Sequence, residues 1–266
     1  MIIFGCPIGI RHIARIAGDQ VRRLAHQLRP NPAARIHFVY FSCARDMALL
    51  MLSLKSLKFL RGNQVGIVYV VVDSKGPFSL EQKSELKTII PSLEFLELGQ
   101  IDWASVFTLK TELQAFAIAA RRAQPIDFIA KVDSDILFFS SLKLDEISIC
   151  AADFIGDGHY SDYKYAQGGL YFLRAPLAEM LETVAETELE QAIAECRTHA
   201  EDQVVSALVR RRTQSIWLTR LMLFPNEYDK ANLNGRLVRR EFSAIHFVHR
   251  KEDMLRYAGR LRMTPS

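Results

Sequence analysis

The chain has 266 residues, of which 49% are hydrophobic and 24% charged, and its formal net charge at pH 7 is +4. This length and balance allow a sizeable buried core and exclude an intrinsically disordered protein. The four cysteines form no CxxC or CxxH pair, which argues against a zinc site or a disulfide framework and indicates a reducing compartment. No apolar run is long enough to span a bilayer. In a secretory signal the positive charges precede the apolar stretch, whereas here they follow it. We therefore expect a cytoplasmic location.

The N-terminal segment 1–35 is basic, with six arginines against one acid, Asp19. Apolar residues at helical spacing predict a helix over 11–29, with arginines at most of its other positions. Such a stripe either packs on its own domain or makes a peripheral contact with an anionic membrane surface. The rest of the chain is not basic and contains no recognition module, so nucleic-acid binding is not expected.

Buried strands and amphipathic helices alternate through 36–145. Apolar runs predict strands at 36–42, 65–73 and 93–98, and two strands within 126–139, one leading up to the aspartates and one leading away from them. Helical spacing predicts helices at 45–60, 79–88 and 108–123. Strands that are apolar on both faces and alternate with helices indicate an α/β fold whose mostly parallel sheet is covered on both sides. In such folds ligands gather at the carboxyl ends of the strands. We therefore expect Ser42, Asp73 and Asp133 to line one rim.

The second half of the chain, 146–266, is less regular. The sequence predicts a polar and aromatic loop at 157–167, a strand at 168–174, helices from Pro176 to about 197 and at 201–212, a strand at 242–250 and a final basic helix or tail. We interpret the chain as one domain, 1–266, in which two lobes, 36–145 and 146–266, follow the basic segment.

Two aspartates interrupt the buried-strand sequence "FIAKVDSDILFF" at 128–139. In an extended segment Asp133 and Asp135 point to the same side, whereas Ser134 points away. Like charges so close repel unless a cation lies between them. Hard divalent ions such as Mg²⁺ or Mn²⁺ prefer oxygen ligands and commonly bridge carboxylates to phosphates. The pattern therefore indicates a metal site, although a bare DxD is also typical of a solvated turn whose aspartates bind backbone amides.

Six motifs between about residues 36 and 250 resemble, in their order, those of nucleotide-sugar-dependent glycosyltransferases with the GT-A fold. They are "HFVYFSCARD", "LKTELQAF", "VDSDILFF", "AQGGLYFLR", "AEDQVVSAL" and "HFVHRKED". The order is most similar to that of the retaining family 8 enzymes, which include glycogenin and bacterial lipopolysaccharide galactosyltransferases. Two motifs depart from that family. It usually has an Asn and a small residue where this chain has "AQGG", and His-x-x-Gly-x-x-Lys-Pro-Trp where this chain has "HFVHRK".

The resemblance implies metal-dependent transfer of a sugar from a nucleotide-sugar donor, in particular a UDP-sugar, to a saccharide or lipid-linked acceptor. The nucleotide would bind the lobe 36–145 and the acceptor the lobe 146–266. Mn²⁺ or Mg²⁺ would be held by Asp133, Asp135 and a third ligand, His246, for which His249 is a possible substitute. A satisfied core histidine is the other interpretation of His246.

The donor contacts implied by the resemblance come from both halves of the chain. Uridine would pack near Phe41 and Ser42, Lys110 would contact the nucleotide, and Arg250 or Lys251 would neutralise the diphosphate. Ser134, Gly168 and Gly169 complete the donor-facing rim. Without the resemblance the cations would be solvated surface charges. The glycines would then admit either a sugar or a neighbouring strand.

Asp202 and Gln203, at the start of a predicted helix, are the candidate catalytic residues. In retaining enzymes of the family such a pair lies at the sugar, whereas in many inverting GT-A enzymes an aspartate here is the general base. Capping of the helix is the structural alternative. Two other functions are alternatives. A sugar nucleotidyltransferase usually has a glycine-rich phosphate loop after its first strand, and it is disfavoured because "FSCARDM" contains no glycine. The second alternative is a non-catalytic binding or scaffold protein that kept the fold.

Overall fold

The computed structural model of the protein describes residues 33–60, 64–99, 101, 105–158, 161–224, 227, 242–246 and 250–260. It also describes two short strands that pair antiparallel, β1 (Ile2–Ile3) and β2 (Cys6–Pro7). The helix predicted over 11–29 and the alternative ligand His249 lie outside the described residues. None of the described helices is long and apolar enough to cross a membrane.

A central sheet is built from seven strands: β3 (Ile36–Ser42), β4 (Val65–Asp73), β5 (Glu94–Gly99), β6 (Phe128–Asp133), β8 (Phe154–Asp157), β9 (Leu170–Arg174) and β10 (Ile216–Thr219). Their order is β10–β8–β9–β6–β3–β4–β5. Neighbours are parallel, except that β9 is antiparallel to β6 and β8. A second sheet contains β7 (Leu137–Phe138), β11 (Met222–Leu223) and β12 (Ala244–Ile245). The predicted α/β fold with a mostly parallel sheet is confirmed.

Helices cover both faces of the central sheet. They are α1 (Met47–Phe59), α2 (Leu80–Ile89), α3 (Val106–Ala120), α4 (Leu142–Ser148), α5 (Ala175–Met180), α6 (Glu186–Cys196) and α7 (Glu201–Arg210). A further helix, α8 (Lys251–Arg260), packs on the second sheet instead. Because alternate strand residues point to opposite faces, Phe38 and Tyr40 of β3 join one core with Leu54 of α1. Phe41 joins the other core, edge-on to Phe116 of α3.

The helix predicted from Pro176 to about 197 is interrupted. After α5 ends at Met180, a 3₁₀ turn spans Leu181–Thr183, and Val184 is extended. The hydroxyl of Thr183 donates to the carbonyl oxygen of Met180 over 3.0 Å. A side chain that bonds to the backbone in this way competes with the helical hydrogen bonds, and α6 begins as a separate helix.

The segment 126–139 forms the two predicted strands, one leading to the aspartates and one leading away from them. β6 ends at Asp133, the amide of Ile136 donates to the carbonyl oxygen of Asp133 over 3.2 Å, and β7 leaves for the second sheet. Of the predicted strand 242–250, Ala244–Ile245 is a strand. The sequence does not predict α4, β8, β10 or β11, because runs this short show no clear period.

Candidate functional site

Asp133, Asp135 and His246 meet at the carboxyl end of β6. Asp133 is the last residue of that strand, and Asp135 belongs to the turn that follows it. β12 pairs antiparallel with β7, with Ile245 opposite Leu137, so His246 is carried back beside the turn. The second sheet thus positions a histidine that is distant in sequence from both aspartates.

The geometry of these three side chains suits a divalent ion. The His246 Nε2 atom lies 3.6 Å from Asp133 Oδ2 and 3.6 Å from Asp135 Oδ1. One ligand atom from each residue lies within 4.8 Å of the others. Two atoms bound to one Mg²⁺ at about 2.1 Å are at most about 4.2 Å apart, so both histidine distances permit shared coordination. Two carboxylates and an imidazole are ligands that Mn²⁺ and Mg²⁺ accept.

A buried lysine lies behind Asp133. Lys131 is 1% exposed, and its Nζ donates to Asp133 Oδ1 over 2.6 Å and to the carbonyl oxygen of Gly168. The same nitrogen lies 3.5 Å from Glu201 Oε1. Burial by itself would raise the pKa of Asp133, but Lys131 and His246 outweigh it and hold that pKa below its ordinary value. Asp133 is therefore ionised, with Oδ2 turned toward His246.

A second buried acid, Glu112 of α3, lies near this lysine. Burial raises the pKa of Glu112 to about 8, against the opposing charge of Lys131. The hydroxyl of Tyr171 donates to Glu112 Oε1. Burial is also the largest influence on Lys131 and would lower its pKa, but Asp133, Glu201 and Glu112 together raise it. The lysine is therefore a permanent positive charge inside the site.

The two glycines allow close approach within the site itself. A Cβ on Gly169 would overlap the imidazole of His246. A Cβ on Gly168 would lie 2.7 Å from Glu201 Oε1 and 3.3 Å from the Cβ of Asp202. The sequence offered a sugar or a neighbouring strand as the reason for these glycines. The structure instead places the candidate metal ligand and the start of α7 against them.

Asp202 lies in the first turn of α7 and faces Gly168. Its Oδ2 accepts the Gly168 amide over 3.2 Å, and its Oδ1 accepts the Gln203 amide over 2.7 Å. The N-cap of α7 is Ala200, which has no side-chain cap bond, so Asp202 is not the capping residue. Burial, then the charge of Glu201, raises the pKa of Asp202 to about 6. This carboxyl can exchange a proton near neutral pH.

Two adjoining clefts open at this edge of the sheet. The Asp135 cleft, of about 470 Å³, is lined by residues that include Asp135, Ser134, Gln167, Gly168, Asp202 and His246. The Ser42 cleft, of about 460 Å³, is lined by residues that include Phe41, Ser42, Asp73 and Lys75. Arg45 and Asp46 line both clefts. The expected rim of Ser42, Asp73 and Asp133 is therefore present, divided between two connected spaces.

Three predicted donor contacts are placed away from these clefts. Lys110 is half-exposed and pairs with Glu186 of α6 over 2.6 Å. Arg250 is exposed and pairs with Asp253 over 2.7 Å, and Lys251 is exposed at the start of α8. None of these three cations lines either cleft. Each has the surface placement that was the alternative interpretation, so the geometry gives their donor-binding role no support.

Sequence reasoning missed residues that the fold brings to the site. Arg45 lines both clefts, and Gln167 lines the Asp135 cleft with a buried Oε1 that has no hydrogen-bond partner in the part of the chain that the structure describes. The predicted Gln203 does not line this cleft. Gln167 stands in the "AQGG" motif, whose departure from the family pattern was the signal that could have singled it out. Lys131 carried no such signal, because one lysine in a strand normally faces solvent.

No protein-family model matches the sequence, and no curated protein matches it. The fold does match solved structures. The LgtC galactosyltransferase in complex with donor and acceptor sugar analogues is 12% identical, with a TM-score of 0.56 over 86% of this chain and 98% of LgtC. The bifunctional glycosyltransferase WbbM is 11% identical, with a TM-score of 0.54 over 88% of this chain and 51% of WbbM. GlyE of Streptococcus pneumoniae is 12% identical, with a TM-score of 0.52 over 86% of this chain and 62% of GlyE.

The chain has the GT-A fold. The resemblance inferred from motif order is thereby confirmed, and it includes the family 8 galactosyltransferase type. At identities near 12% the likeness establishes the fold and not the chemistry. The chemistry of this GT-A domain has to be argued from its own carboxyl-edge residues.

Proposed function

We propose that the protein is a metal-dependent glycosyltransferase that moves a sugar from a nucleotide-sugar donor, specifically a UDP-sugar, to a saccharide or lipid-linked acceptor. The observation that supports this most is the convergence of Asp133, Asp135 and His246 beside a cleft at the carboxyl edge of a GT-A sheet. An ordinary solvated turn would not gather a buried histidine from another sheet onto two carboxylates.

The two connected clefts suit the two ends of such a donor. We assign the nucleoside to the Ser42 cleft, where Phe41 offers an apolar wall and the buried Ser42 Oγ has no hydrogen-bond partner among the described residues. The diphosphate would then cross the junction at Arg45, whose guanidinium is a suitable partner for phosphate oxygens. When bound, a divalent ion supplies positive charge for the leaving diphosphate.

The sugar and the acceptor would meet in the Asp135 cleft. Asp202, with a pKa raised to about 6, can accept or return a proton near neutral pH. One solved LgtC structure carries a substitution of an active-site glutamine. The two glutamines available here are the predicted Gln203 and the cleft-lining Gln167. We propose that Gln167 faces the sugar and that transfer is retaining, as the motif order favours.

The remaining assignments extend this proposal. We propose that the lobe 36–145 binds the nucleotide, that the lobe 146–266 binds the acceptor, and that the basic segment 1–35 makes a peripheral contact with an anionic membrane. Deleting 1–32, which keeps the buried Ala34 and the Arg35 amide bonded to Asp127, should then weaken binding to anionic vesicles without changing turnover of a water-soluble acceptor. Unchanged vesicle binding would contradict the membrane proposal alone.

The function is tested by incubating the purified protein with a panel of UDP- and GDP-sugars, with Mn²⁺, with Mg²⁺ and with EDTA. We expect donor hydrolysis or transfer that stops in EDTA and returns on adding metal. Binding of sugar nucleotides with no turnover under any condition would contradict the proposal and favour a scaffold. Formation of a sugar nucleotide from a sugar phosphate and a nucleoside triphosphate would favour a nucleotidyltransferase.

A further inference from the structure

Lys131 joins three separate parts of the candidate site. Its ammonium donates to Asp133 at the end of β6 and to the carbonyl oxygen of Gly168 in the turn before β9. It also lies 3.5 Å from Glu201 at the start of α7. The side chain is 1% exposed. A buried charge is strongly unfavourable unless it is paired and hydrogen-bonded, so these partners account for its presence.

The lysine and the histidine approach opposite oxygens of one carboxylate. Lys131 Nζ contacts Asp133 Oδ1 at 2.6 Å, whereas Asp133 Oδ2 lies 3.6 Å from His246 Nε2. An ion shared by Asp133, Asp135 and His246 would use Oδ2. Asp133 would therefore bind it through one oxygen, with a fixed positive charge on the other.

We propose that Lys131 is a built-in counter-cation of the Asp133–Asp135–His246 cluster, which stabilises the metal-free protein and at the same time weakens the binding of a divalent ion. This inference rests on the proposed function, because it takes the cluster as the metal site. A lysine that served only as scaffolding would have the opposite effect on the ion, since removing scaffolding loosens the ligands.

Electrostatics gives the sign of the effect. Replacing Lys131 by methionine keeps an unbranched side chain that is one atom shorter and removes its charge. Asp133 and Glu201 then lose their shared positive partner, so the folded metal-free protein loses stability. The same two carboxylates now attract a cation without competition. A unit charge only one carboxylate away is strong enough to change divalent-ion affinity by about tenfold or more at an effective dielectric constant near 20.

The chain offers a matched control in Lys143 of α4. It is also 1% exposed, and its Nζ lies 3.4 Å from Glu146 Oε2 and 4.7 Å from the centre of the Trp217 ring. It lines neither cleft. Lys143→Met should therefore lower the melting temperature as Lys131→Met does, and leave ion affinity at the wild-type value.

The experiment is a calorimetric titration with Mn²⁺ alone, together with thermal melts with and without Mn²⁺, on wild type, Lys131→Met, Lys131→Arg and Lys143→Met. We expect Lys131→Met to bind Mn²⁺ about tenfold more tightly than wild type and to melt at a lower temperature without metal, with a larger upward shift when Mn²⁺ is added. Lys131→Arg, which keeps the charge, should bind with an affinity near that of wild type.

Each other outcome is decisive. Unchanged or weaker Mn²⁺ binding in folded Lys131→Met, while wild type binds, overturns the counter-cation role and leaves the metal centre intact. No binding in either protein refutes the metal centre and the inference with it. If Lys131→Met is unfolded without metal, Mn²⁺ should refold it, because the ion replaces the lost charge; failure to refold also overturns the inference.

Discussion

Buried charged groups lie at both ends of the strands of the central sheet, but their contacts differ. The amino ends are called the amino edge below, and the carboxyl ends the carboxyl edge. At the amino edge of β6, Asp127 accepts the amides of Arg35 and Gln124, each over 2.8 Å, and lies 3.4 Å from His37 Nε2. Arg174 donates there to three backbone carbonyl oxygens. At the carboxyl edge, Asp133 and Asp135 direct oxygens toward a cleft.

The charged groups at the amino edge form a structural network, whereas those at the carboxyl edge form a candidate site. Polar groups that are bonded within the protein hold elements together, and their loss costs stability. Polar groups that converge on an open cleft are disposed to bind something else. Substituting aspartate by asparagine at each edge should therefore change different properties of the same protein.

The largest effect is expected for Asp135→Asn at the carboxyl edge. Removing one ligand charge should lower metal-dependent turnover by about 100-fold or more, with a change in melting temperature of only a few degrees. Donor turnover measured over a range of Mn²⁺ concentrations, beside a thermal melt, checks both. Wild-type turnover in this variant would show that the metal assignment is wrong.

Asp127→Asn should have the opposite profile. Asp127 is 4% exposed, accepts hydrogen bonds from two backbone amides and lies 3.4 Å from His37 Nε2. Placing an amide nitrogen where an acceptor is needed should cost about 2–4 kcal/mol in the free energy of unfolding. Urea denaturation measures this cost, and Mn²⁺ affinity should equal that of wild type. A loss of metal affinity as large as that of Asp135→Asn would remove the distinction between the edges.

The two candidate glutamines offer a finer comparison within the carboxyl edge. Gln167→Ala should lower kcat by about tenfold to a hundredfold, because Gln167 lines the cleft and its buried amide oxygen has no hydrogen-bond partner among the described residues. Gln203→Ala should lower kcat by less than about threefold. Steady-state kinetics with one donor settles the order, and a larger loss for Gln203→Ala would restore the assignment made from motif order.

Arg45 should contribute to donor binding more than to the chemical step. Arg45→Ala should raise the KM for the donor by about tenfold, since the guanidinium lies where the clefts join. Arg121, a surface arginine paired with Glu182 over 2.5 Å, is the matched control. Arg121→Ala should change donor KM by less than about twofold. Equal effects of the two substitutions would show that Arg45 is an ordinary surface charge.

The last prediction concerns the free energy of unfolding, which should fall as the buried Asp202 ionises. Burial raises its pKa from 3.8 to about 6, so ionising it costs more in the folded than in the unfolded protein. The wild type should therefore lose stability relative to Asp202→Asn as pH rises from about 4 to 6. Two pKa units correspond to about 2.7 kcal/mol, so the wild type should lose about 2–3 kcal/mol relative to Asp202→Asn between pH 4 and pH 7. Urea melts of both proteins from pH 4 to 7.5 test this, and a difference independent of pH would contradict the raised pKa.

The parts that sequence predicted best were long and locally determined. β3 and β4 are almost continuous apolar runs whose bounds agree with the prediction. The extended geometry expected for Asp133 and Asp135 is not present, because β6 ends at Asp133 and a turn places Asp135 beside His246. Residues whose role depends on packing could not be found in this way. Lys131 and Glu112 look like solvent-facing positions until α3, β6 and α7 are assembled around them.

The resemblance had the corresponding strength and weakness. It identified His246, which only the pairing of β7 with β12 brings to the aspartates. It also assigned Lys110, Arg250 and Lys251 to the donor, although each lies on the surface outside the clefts. Motif order predicted the fold, whereas the positions of single surface cations depend on local loop and helix packing.

The most direct test of the central claim is the anomalous scattering of a crystal soaked in Mn²⁺ with a nucleoside diphosphate. We expect one strong peak at about 2.1–2.3 Å from Asp133 Oδ2, Asp135 Oδ1 and His246 Nε2. A fully occupied nucleotide with no peak between these three side chains, or with its only Mn²⁺ bound elsewhere, would contradict it.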